Sequence, residues 1–216
     1  MKKCVKIVFT IAALAAMALT TYQTPFAAAT EEIRLLVLGD SLTAGFGLAP
    51  TQAFPARLQE ALVQRGYKVR VINAGVSGDT TAGGLARLDW VLADKPQAAI
   101  VELGANDGLR GLDAGAMRAN LSAILKRLEK EQVKVLLAGM KAPPNYGTAY
   151  TREYEQAYSA LAKEHNVIFY PFFLDGVAAQ RELNLSDGVH PNAKGVDIIV
   201  ANILPYVEKL LAGVKG

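Results

Sequence analysis

The chain has 216 residues, of which 51% are hydrophobic and 20% are charged, a balance that excludes intrinsic disorder and low-complexity fibres and suits one α/β domain. Its formal net charge of +3 comes entirely from Lys2, Lys3 and Lys6, because no acidic residue precedes Glu31. Beyond residue 29 basic and acidic side chains are equal in number, so charge gives no reason to expect binding to nucleic acid or to an anionic membrane.

Residues 1–29 have the pattern of a secretory signal peptide. The three lysines precede an apolar run from Ile7 to Leu19 in which Thr10 is the only polar residue, and the segment 27–29, Ala-Ala-Ala, offers a cleavage site. A spanning helix needs about 20 apolar residues, so the run is short for an anchor, although an uncleaved N-terminal anchor is the alternative. We therefore predict a periplasmic or secreted protein without stable membrane insertion, cleaved near Ala29, with one mature domain over residues 30–216.

Five short apolar segments alternate with helix-period segments along this domain. The strand candidates are 34–38, 68–72, 98–103, 133–139 and 167–170. Continuous apolar runs of this length are typical of strands buried on both faces. Two amphipathic stripes, 117–128 and 196–207, predict helices, the second with a kink at Pro205. The alternation predicts an α/β fold with a single parallel sheet between two helical layers, and a site at the carboxyl ends of the strands.

Small and polar residues follow three of the predicted strands and fill the last loop before the C-terminal helix. The four segments are Gly-Asp-Ser-Leu-Thr at 39–43, Asn-Ala-Gly-Val-Ser-Gly-Asp-Thr at 73–80, Gly-Ala-Asn-Asp-Gly at 104–108 and Asp-Gly-Val-His-Pro at 187–191. Since the carboxyl ends of parallel strands meet at one edge of a sheet, we expect these segments to form one rim.

Ser41 is the candidate nucleophile, and a serine hydroxyl needs a neighbouring base. The chain has two histidines, and we interpret His165 as a helix-end residue that contacts the last carbonyls. His190 follows Asp187 by three residues, so one tight turn can bring the carboxylate to Nδ1 and leave Nε2 for the serine. We expect His190 to open a helix with Pro191 in its first turn. The alternative is that the Asp187 segment is only a capped turn.

Acyl transfer also requires donors for the oxyanion that develops in the reaction. The Ser41 N–H can serve if its turn enters a helix, Gly78 permits close backbone approach, and Asn106 can add a side-chain N–H. The alternatives are a plain turn glycine at Gly78 and an Asx-turn at Asn106. We assign Asp40 and Asp107 to loop hydrogen bonds.

The distribution of metal ligands argues against a metal centre. Catalytic zinc needs about three His, Cys or carboxylate ligands, whereas the only cysteine, Cys4, lies in the predicted signal segment and the two histidines are far apart in sequence. We therefore predict no metal and no cofactor.

The four segments match, in order, the four blocks of the SGNH (GDSL-type) hydrolases, and the chain resembles that family over essentially all of residues 30–216. Within the family it is similar to the bacterial periplasmic arylesterase, thioesterase I and lysophospholipase group, notably at 101–111 and 144–147. The resemblance implies a flavodoxin-like three-layer α/β/α sandwich around a central parallel five-stranded sheet.

The resemblance also implies a serine ester hydrolase that acts through an acyl-enzyme intermediate and needs no cofactor. It implies the triad Ser41, Asp187 and His190, and the oxyanion donors Ser41, Gly78 and Asn106. The expected substrate is a small-molecule acyl ester, thioester or lipid, and the expected state is a monomer. Two alternatives are a carbohydrate O-deacetylase and a non-catalytic lipid- or glycan-binding protein on the same fold.

Two loops are predicted to border the acyl group, namely 108–112 and 142–147. Their apolar members are Leu109, Leu112, Pro143, Pro144 and Tyr146. An apolar wall favours acyl chains and aryl esters over acetylated sugars, because each buried CH₂ contributes about 0.8 kcal/mol. Gly108 and Gly111 would let the first loop move over a bound chain. The alternative is that both are ordinary surface loops with the leucines packed in the core.

Overall fold

The computed structural model describes residues 32–214, so the predicted signal segment lies outside the described residues. One parallel sheet forms the centre of the molecule, with strand order β2-β1-β3-β4-β5. The strands are β1 (Ile33–Gly39), β2 (Val69–Gly75), β3 (Ala98–Glu102), β4 (Lys134–Ala138) and β5 (Ile168–Tyr170). This order is the flavodoxin-like one, so the predicted fold class is confirmed.

Helices cover both faces of the sheet. They are α1 (Ser41–Ala44), α2 (Phe54–Gln64), α3 (Thr81–Ala86), α4 (Leu88–Leu92), α5 (Ala105–Leu109), α6 (Ala114–Lys130), α7 (Thr148–Glu164) and α8 (Ala193–Ala212). One layer pairs α2 with α8, and the other packs α6 against α3 and α7. Within residues 32–214, none of these helices has the length and apolar character needed to cross a membrane.

Burial follows the position of each strand in the sheet. The segments 35–38 of β1 and 98–101 of β3 are completely buried, as their apolar runs predict. The prediction of burial on both faces is wrong for β2, where Arg70 and Asn73 are exposed. The reason is that β2 is an edge strand, which the helical layers cover only in part.

The two predicted amphipathic helices are present. The buried residues of α6 include Met117, Leu121, Ile124, Leu125 and Leu128, which form the predicted stripe. The stripe 196–207 is buried along α8, and α8 continues through Pro205, which lies on its exposed side. Pro205 therefore lies within α8 and does not end it.

Candidate active site

Ser41 begins α1 immediately after β1, at the carboxyl edge of the sheet. Asp40 caps this helix, and its carboxylate accepts the Leu42 N–H at 3.0 Å. Gly45 then ends α1 after one turn, because its φ of 83° lies in the left-handed region that a glycine adopts without strain. Within the described chain the Ser41 N–H has no acceptor, so it is available at the start of the helix.

Ser41, His190 and Asp187 form a continuous hydrogen-bonded chain. Ser41 Oγ lies 2.9 Å from His190 Nε2, and His190 Nδ1 lies 2.7 Å from Asp187 Oδ2. The other oxygen of Asp187 accepts the N–H groups of Val189 at 2.9 Å and His190 at 3.0 Å. These backbone hydrogen bonds, with the imidazole contact, lower the pKa of Asp187 to about 2. The turn is therefore capped by the same carboxylate that orients the imidazole.

His190 does not open a helix, contrary to expectation. The cap of α8 is Asn192, whose side chain accepts the N–H groups of Lys194 and Gly195, so the helix begins beyond Asn192. Pro191 pairs instead with Asn184 in an isolated antiparallel bridge. The imidazole therefore projects from a loop that is fixed by this bridge and by the capped turn.

Phe46 covers one face of the imidazole, a contact that the sequence reasoning missed. Its ring centroid lies 4.5 Å from that of His190, with 34° between the planes, and half of Phe46 is exposed. Gly45 and Gly47, which flank it, both have positive φ. An aromatic residue between two glycines, five positions after the serine, is the signal that could have identified it.

The predicted oxyanion donors lie on three segments, namely the start of α1, the loop after β2 and the start of α5. Gly78 is exposed with φ of 80°, and its N–H has no acceptor among the described residues. Asn106 Nδ2 donates to Asp40 Oδ2 at 3.1 Å. An amide nitrogen carries two hydrogens, so the second hydrogen of Nδ2 remains available to a ligand. The hydrogen bond to Asp40 also fixes the orientation of the amide, because only its nitrogen can donate to a carboxylate. Arg110 Nη2 donates to the Gly78 carbonyl at 2.8 Å and so joins the two donor-bearing loops.

The side chain of Glu102, the last residue of β3, is completely buried. Its Oε2 accepts the Thr43 hydroxyl at 2.7 Å and the Asp40 N–H at 3.4 Å, and no described residue contacts Oε1 by a hydrogen bond. Burial, reinforced by repulsion from Asp40, raises the pKa of Glu102 well above its ordinary value. Burial likewise raises the pKa of Asp40 to about 6. Glu102 was missed because it ends an otherwise apolar strand.

Arg87 ties three parts of the rim together and was also missed. Its guanidinium donates to Asp79 at 2.7 Å, to the Ala74 carbonyl at 2.8 Å and to the Gly39 carbonyl at 2.9 Å. Both members of the Arg87–Asp79 ion pair are largely buried. The ends of β1 and β2 are thereby fixed to the loop that carries Gly78.

The predicted acyl-binding loop 108–112 starts within the last turn of α5, which ends at Leu109, and it contacts the predicted loop 142–147. Leu109, Leu112 and Tyr146 are 48%, 41% and 41% exposed, so the alternative that placed the leucines in the core is wrong. Pro144 is exposed as well and begins a 3₁₀ turn that ends at Tyr146. The Tyr146 hydroxyl donates to the Leu109 carbonyl at 2.9 Å, which joins the two loops.

The second histidine lies apart from these residues. His165 caps the end of α7, but its Nε2 lies 3.0 Å from Ser122 Oγ on α6. Its position at the helix end is as expected, and its backbone N–H contacts the carbonyls of Leu161 and Lys163 in the last turn. Over residues 32–214, no cluster of His, Cys, Asp and Glu side chains is arranged to hold a metal ion.

Comparison with known proteins gives consistent matches. Residues 37–198 match the model of the GDSL-like lipase/acylhydrolase family. The esterase TesA of Pseudomonas aeruginosa is 42% identical over 178 residues, which cover 82% of this chain and 89% of that protein. The thioesterase 1/protease 1/lysophospholipase L1 of Escherichia coli K12 is 40% identical over 159 residues, 73% of this chain and 75% of that protein.

A solved structure agrees with the fold. The crystal structure of AlinE4, an SGNH-hydrolase family esterase, superposes with a TM-score of 0.71 at 48% sequence identity. The match covers 84% of this chain and 97% of that one.

Proposed function

Because the chain belongs to the GDSL-like lipase/acylhydrolase family and is an ester hydrolase, we propose that it cleaves acyl esters or thioesters with Ser41, His190 and Asp187 as a catalytic triad. The observation that carries the proposal is the hydrogen-bonded chain from Ser41 Oγ through both ring nitrogens of His190 to Asp187. A serine hydroxyl held by an imidazole whose other nitrogen is fixed by a carboxylate is poised for nucleophilic attack.

In the acylation step, His190 Nε2 accepts the proton of Ser41 as Oγ attacks the acyl carbonyl carbon. The carbonyl oxygen becomes an oxyanion, which the N–H groups of Ser41 and Gly78 and the second Nδ2 hydrogen of Asn106 stabilise. His190 then returns the proton to the leaving oxygen or sulfur as that bond breaks. The alcohol or thiol departs and an acyl ester remains on Ser41.

Deacylation repeats the sequence with water as the nucleophile. His190 accepts a proton from water, and the hydroxide attacks the acyl carbon. The same three N–H donors stabilise the oxyanion of the tetrahedral intermediate. Collapse of the intermediate returns the proton to Ser41 Oγ and releases the carboxylic acid. Asp187 remains ionised throughout and stabilises the imidazolium that forms in each step.

The exposed apolar side chains beside Asn106 support an acyl chain as the bound group. Leu109, Leu112 and Tyr146 stand on two joined loops, and a chain that covers them gains about 0.8 kcal/mol per buried CH₂. We further propose that the enzyme works as a monomer, since the hydrogen-bonded chain from Ser41 to Asp187 is complete within one copy of the protein. Export by a cleaved signal peptide is part of the proposal and rests on the pattern of residues 1–29.

Replacement of the nucleophile tests the triad. Ser41→Ala is expected to lose nearly all hydrolysis while it keeps the thermal unfolding midpoint of the wild type, and to resist labelling by a serine-directed phosphonate that adds to the wild-type mass. Ser159→Ala, on an exposed part of α7, is the matched control. Retention of more than a few per cent of the wild-type rate by the Ser41 variant would place the nucleophile elsewhere.

The substrate class is tested with p-nitrophenyl esters from acetate to palmitate, with acyl-CoA, lysophospholipid and acetyl-xylan in parallel. We expect kcat/KM to rise by up to about fourfold per added methylene over the first carbons, and then to level off. A clear preference for acetyl-xylan, without gain from longer chains, would reject the acyl-chain proposal and favour a carbohydrate deacetylase.

A further inference from the structure

Four tyrosines spaced four residues apart lie against the segment that carries Asn106. Tyr146 precedes α7, and Tyr150, Tyr154 and Tyr158 lie within it. Neighbouring rings have centroid separations of 5.5, 6.0 and 5.6 Å along the series. Residues four apart share one face of a helix, so the rings form a continuous row, here called the tyrosine ladder.

The two inner tyrosines bind the turn between β3 and α5. Tyr158 donates to the Leu103 carbonyl at 2.9 Å, Tyr154 donates to the Gly104 carbonyl at 2.7 Å, and the two hydroxyls are 3.1 Å apart. Both side chains are fully buried, and burial raises the pKa of both phenols, which therefore remain neutral donors. Gly104 lies two residues before Asn106, so these hydroxyls fix the backbone from which the amide projects.

Gly104 shows how closely the ladder approaches this turn. Its φ is 114°, and a Cβ built on it would lie 2.0 Å from the Tyr158 hydroxyl oxygen. Only a glycine therefore accommodates both the backbone conformation and the hydroxyl. The turn and the inner tyrosines fit together as one packed unit.

The two outer tyrosines bind the proposed acyl-binding loop. Tyr146 donates to the Leu109 carbonyl at 2.9 Å, and Tyr150 donates to the Leu112 carbonyl at 2.8 Å. A Cβ on Gly111 would lie 2.5 Å from the Tyr146 ring, so the loop backbone rests on that ring. Each end of the exposed loop is thus held by a hydroxyl from the same row.

We propose that the tyrosine ladder positions the oxyanion amide and the acyl-binding loop relative to each other. The inference rests on the proposed roles of Asn106 and of the loop 108–112. Four donors on one rigid helix and its leading turn meet four carbonyls between residues 103 and 112, so they fix the whole segment as a unit. Tyr154 and Tyr158 thereby act on transition-state stabilisation, whereas Tyr146 and Tyr150 act on acyl-chain binding.

The inner pair is tested with Tyr154→Phe, which removes one hydroxyl and keeps the ring. We expect kcat on a short ester to fall by about three- to tenfold with little change in KM, because the amide is displaced without loss of substrate contacts. The same substitution made in an Asn106→Ala background should have almost no further effect. Tyr206→Phe, on α8 and packed at a tilt against Tyr170 away from the ladder, is the control and should behave as the wild type.

The double-mutant cycle separates the possible failures. If Asn106→Ala lowers kcat but Tyr154→Phe does not, or if the two effects multiply, the ladder has no positioning role. If Asn106→Ala itself leaves kcat unchanged, the oxyanion role fails and the inner half of the ladder proposal falls with it. Thermal unfolding of each variant identifies any loss of activity that reflects unfolding.

The outer pair is tested with Tyr150→Phe across the p-nitrophenyl series. We expect KM for long-chain esters to rise by about threefold or more, and KM for the acetate ester to change less. The reason is that only a long acyl chain contacts the loop, which loses its hydrogen bond to residue 150 in this variant. An equal change for all chain lengths, or none for any, would overturn the assignment of Tyr150.

Discussion

At the scale of single residues, Asp187 combines two tasks that sequence reasoning treats as rivals. One carboxylate oxygen accepts two backbone N–H groups and so closes the turn, while the other accepts from the imidazole. Three donors around one carboxylate explain why its pKa falls to about 2 although the side chain is 37% exposed. The hydrogen bonds of the Asp187 carboxylate therefore stabilise the loop and also orient His190 towards Ser41.

Substitution of Asp187 by Asn tests this arrangement. An amide donates where the carboxylate accepts, which favours the wrong tautomer of His190, so kcat should fall by about 10³- to 10⁴-fold. Since the pKa of Asp187 is lowered on folding, its contribution to stability is present above about pH 4 and is lost as the pH falls towards 2. Asp187 therefore stays ionised from about pH 6 to 9, so its own titration adds no pH dependence to the deficit in kcat over that range. Loss of less than tenfold, with Asp94→Asn as the exposed control, would contradict the assignment.

Glu102 gives a second prediction at this scale, based on stability rather than on rate. A carboxyl group whose pKa is raised on folding contributes stability that is present at low pH and is lost as the pH rises through its folded value. Glu102→Gln keeps the shape but cannot ionise, so its thermal midpoint relative to the wild type should increase between about pH 5 and pH 9. The exposed Glu129→Gln on α6 is the control. A difference that does not vary with pH would show that folding does not raise the pKa of Glu102.

At the scale of secondary-structure elements, the rim depends on how strand ends are tied together. The glycines that end β1 and β2 allow α1 to cross them, since a Cβ on Gly75 would lie 2.3 Å from the Ala44 nitrogen and one on Gly39 would lie 2.0 Å from the Thr43 hydroxyl. Arg87, between α3 and α4, then joins both strand ends to the following loop. The close contacts of α1 with Gly39 and Gly75, together with the hydrogen bonds of Arg87, thus position Ser41 at this edge of the sheet.

Replacement of Arg87 should lower the stability of the fold. Arg87→Ala leaves Asp79 largely buried without its partner, and two carbonyls lose a donor, so the free energy of unfolding should fall by about 3 kcal/mol or more. Arg127→Ala breaks exposed ion pairs with Asp89 and Glu131 and should lower the free energy of unfolding much less, because exposed ion pairs contribute little to stability. Urea unfolding of both variants measures the difference. Equal losses would mean that the Arg87 network adds nothing beyond an ordinary surface ion pair.

At the scale of the whole molecule, the topology brings together residues that are distant in sequence. Ser41 and His190 are 149 positions apart and yet share a hydrogen bond, because the loop before α8 returns to the edge where β1 ends.

Export is tested on the whole chain. We expect the exported protein to have an intact mass that corresponds to a start near Thr30, and a chain expressed from Thr30 to be soluble and to match the exported protein in kcat/KM. A retained N-terminus on the exported protein would identify an anchor instead of a cleaved signal.

The sequence by itself determined the sheet, its parallel character and the strand-end positions of Ser41 and Asn106, because burial imposes a local apolar pattern that can be read along the chain. It also placed Asp187 and His190 within one turn of each other, since three residues separate them. Only the tertiary structure decided the contacts of Glu102, Arg87, Phe46 and the tyrosine ladder. Their partners lie on other elements, and hydrogen bonds between distant segments leave no periodic trace in the sequence. The same reason explains the errors at Pro191 and at the edge strand β2, where a bridge to Asn184 and the position of the strand in the sheet override the local pattern.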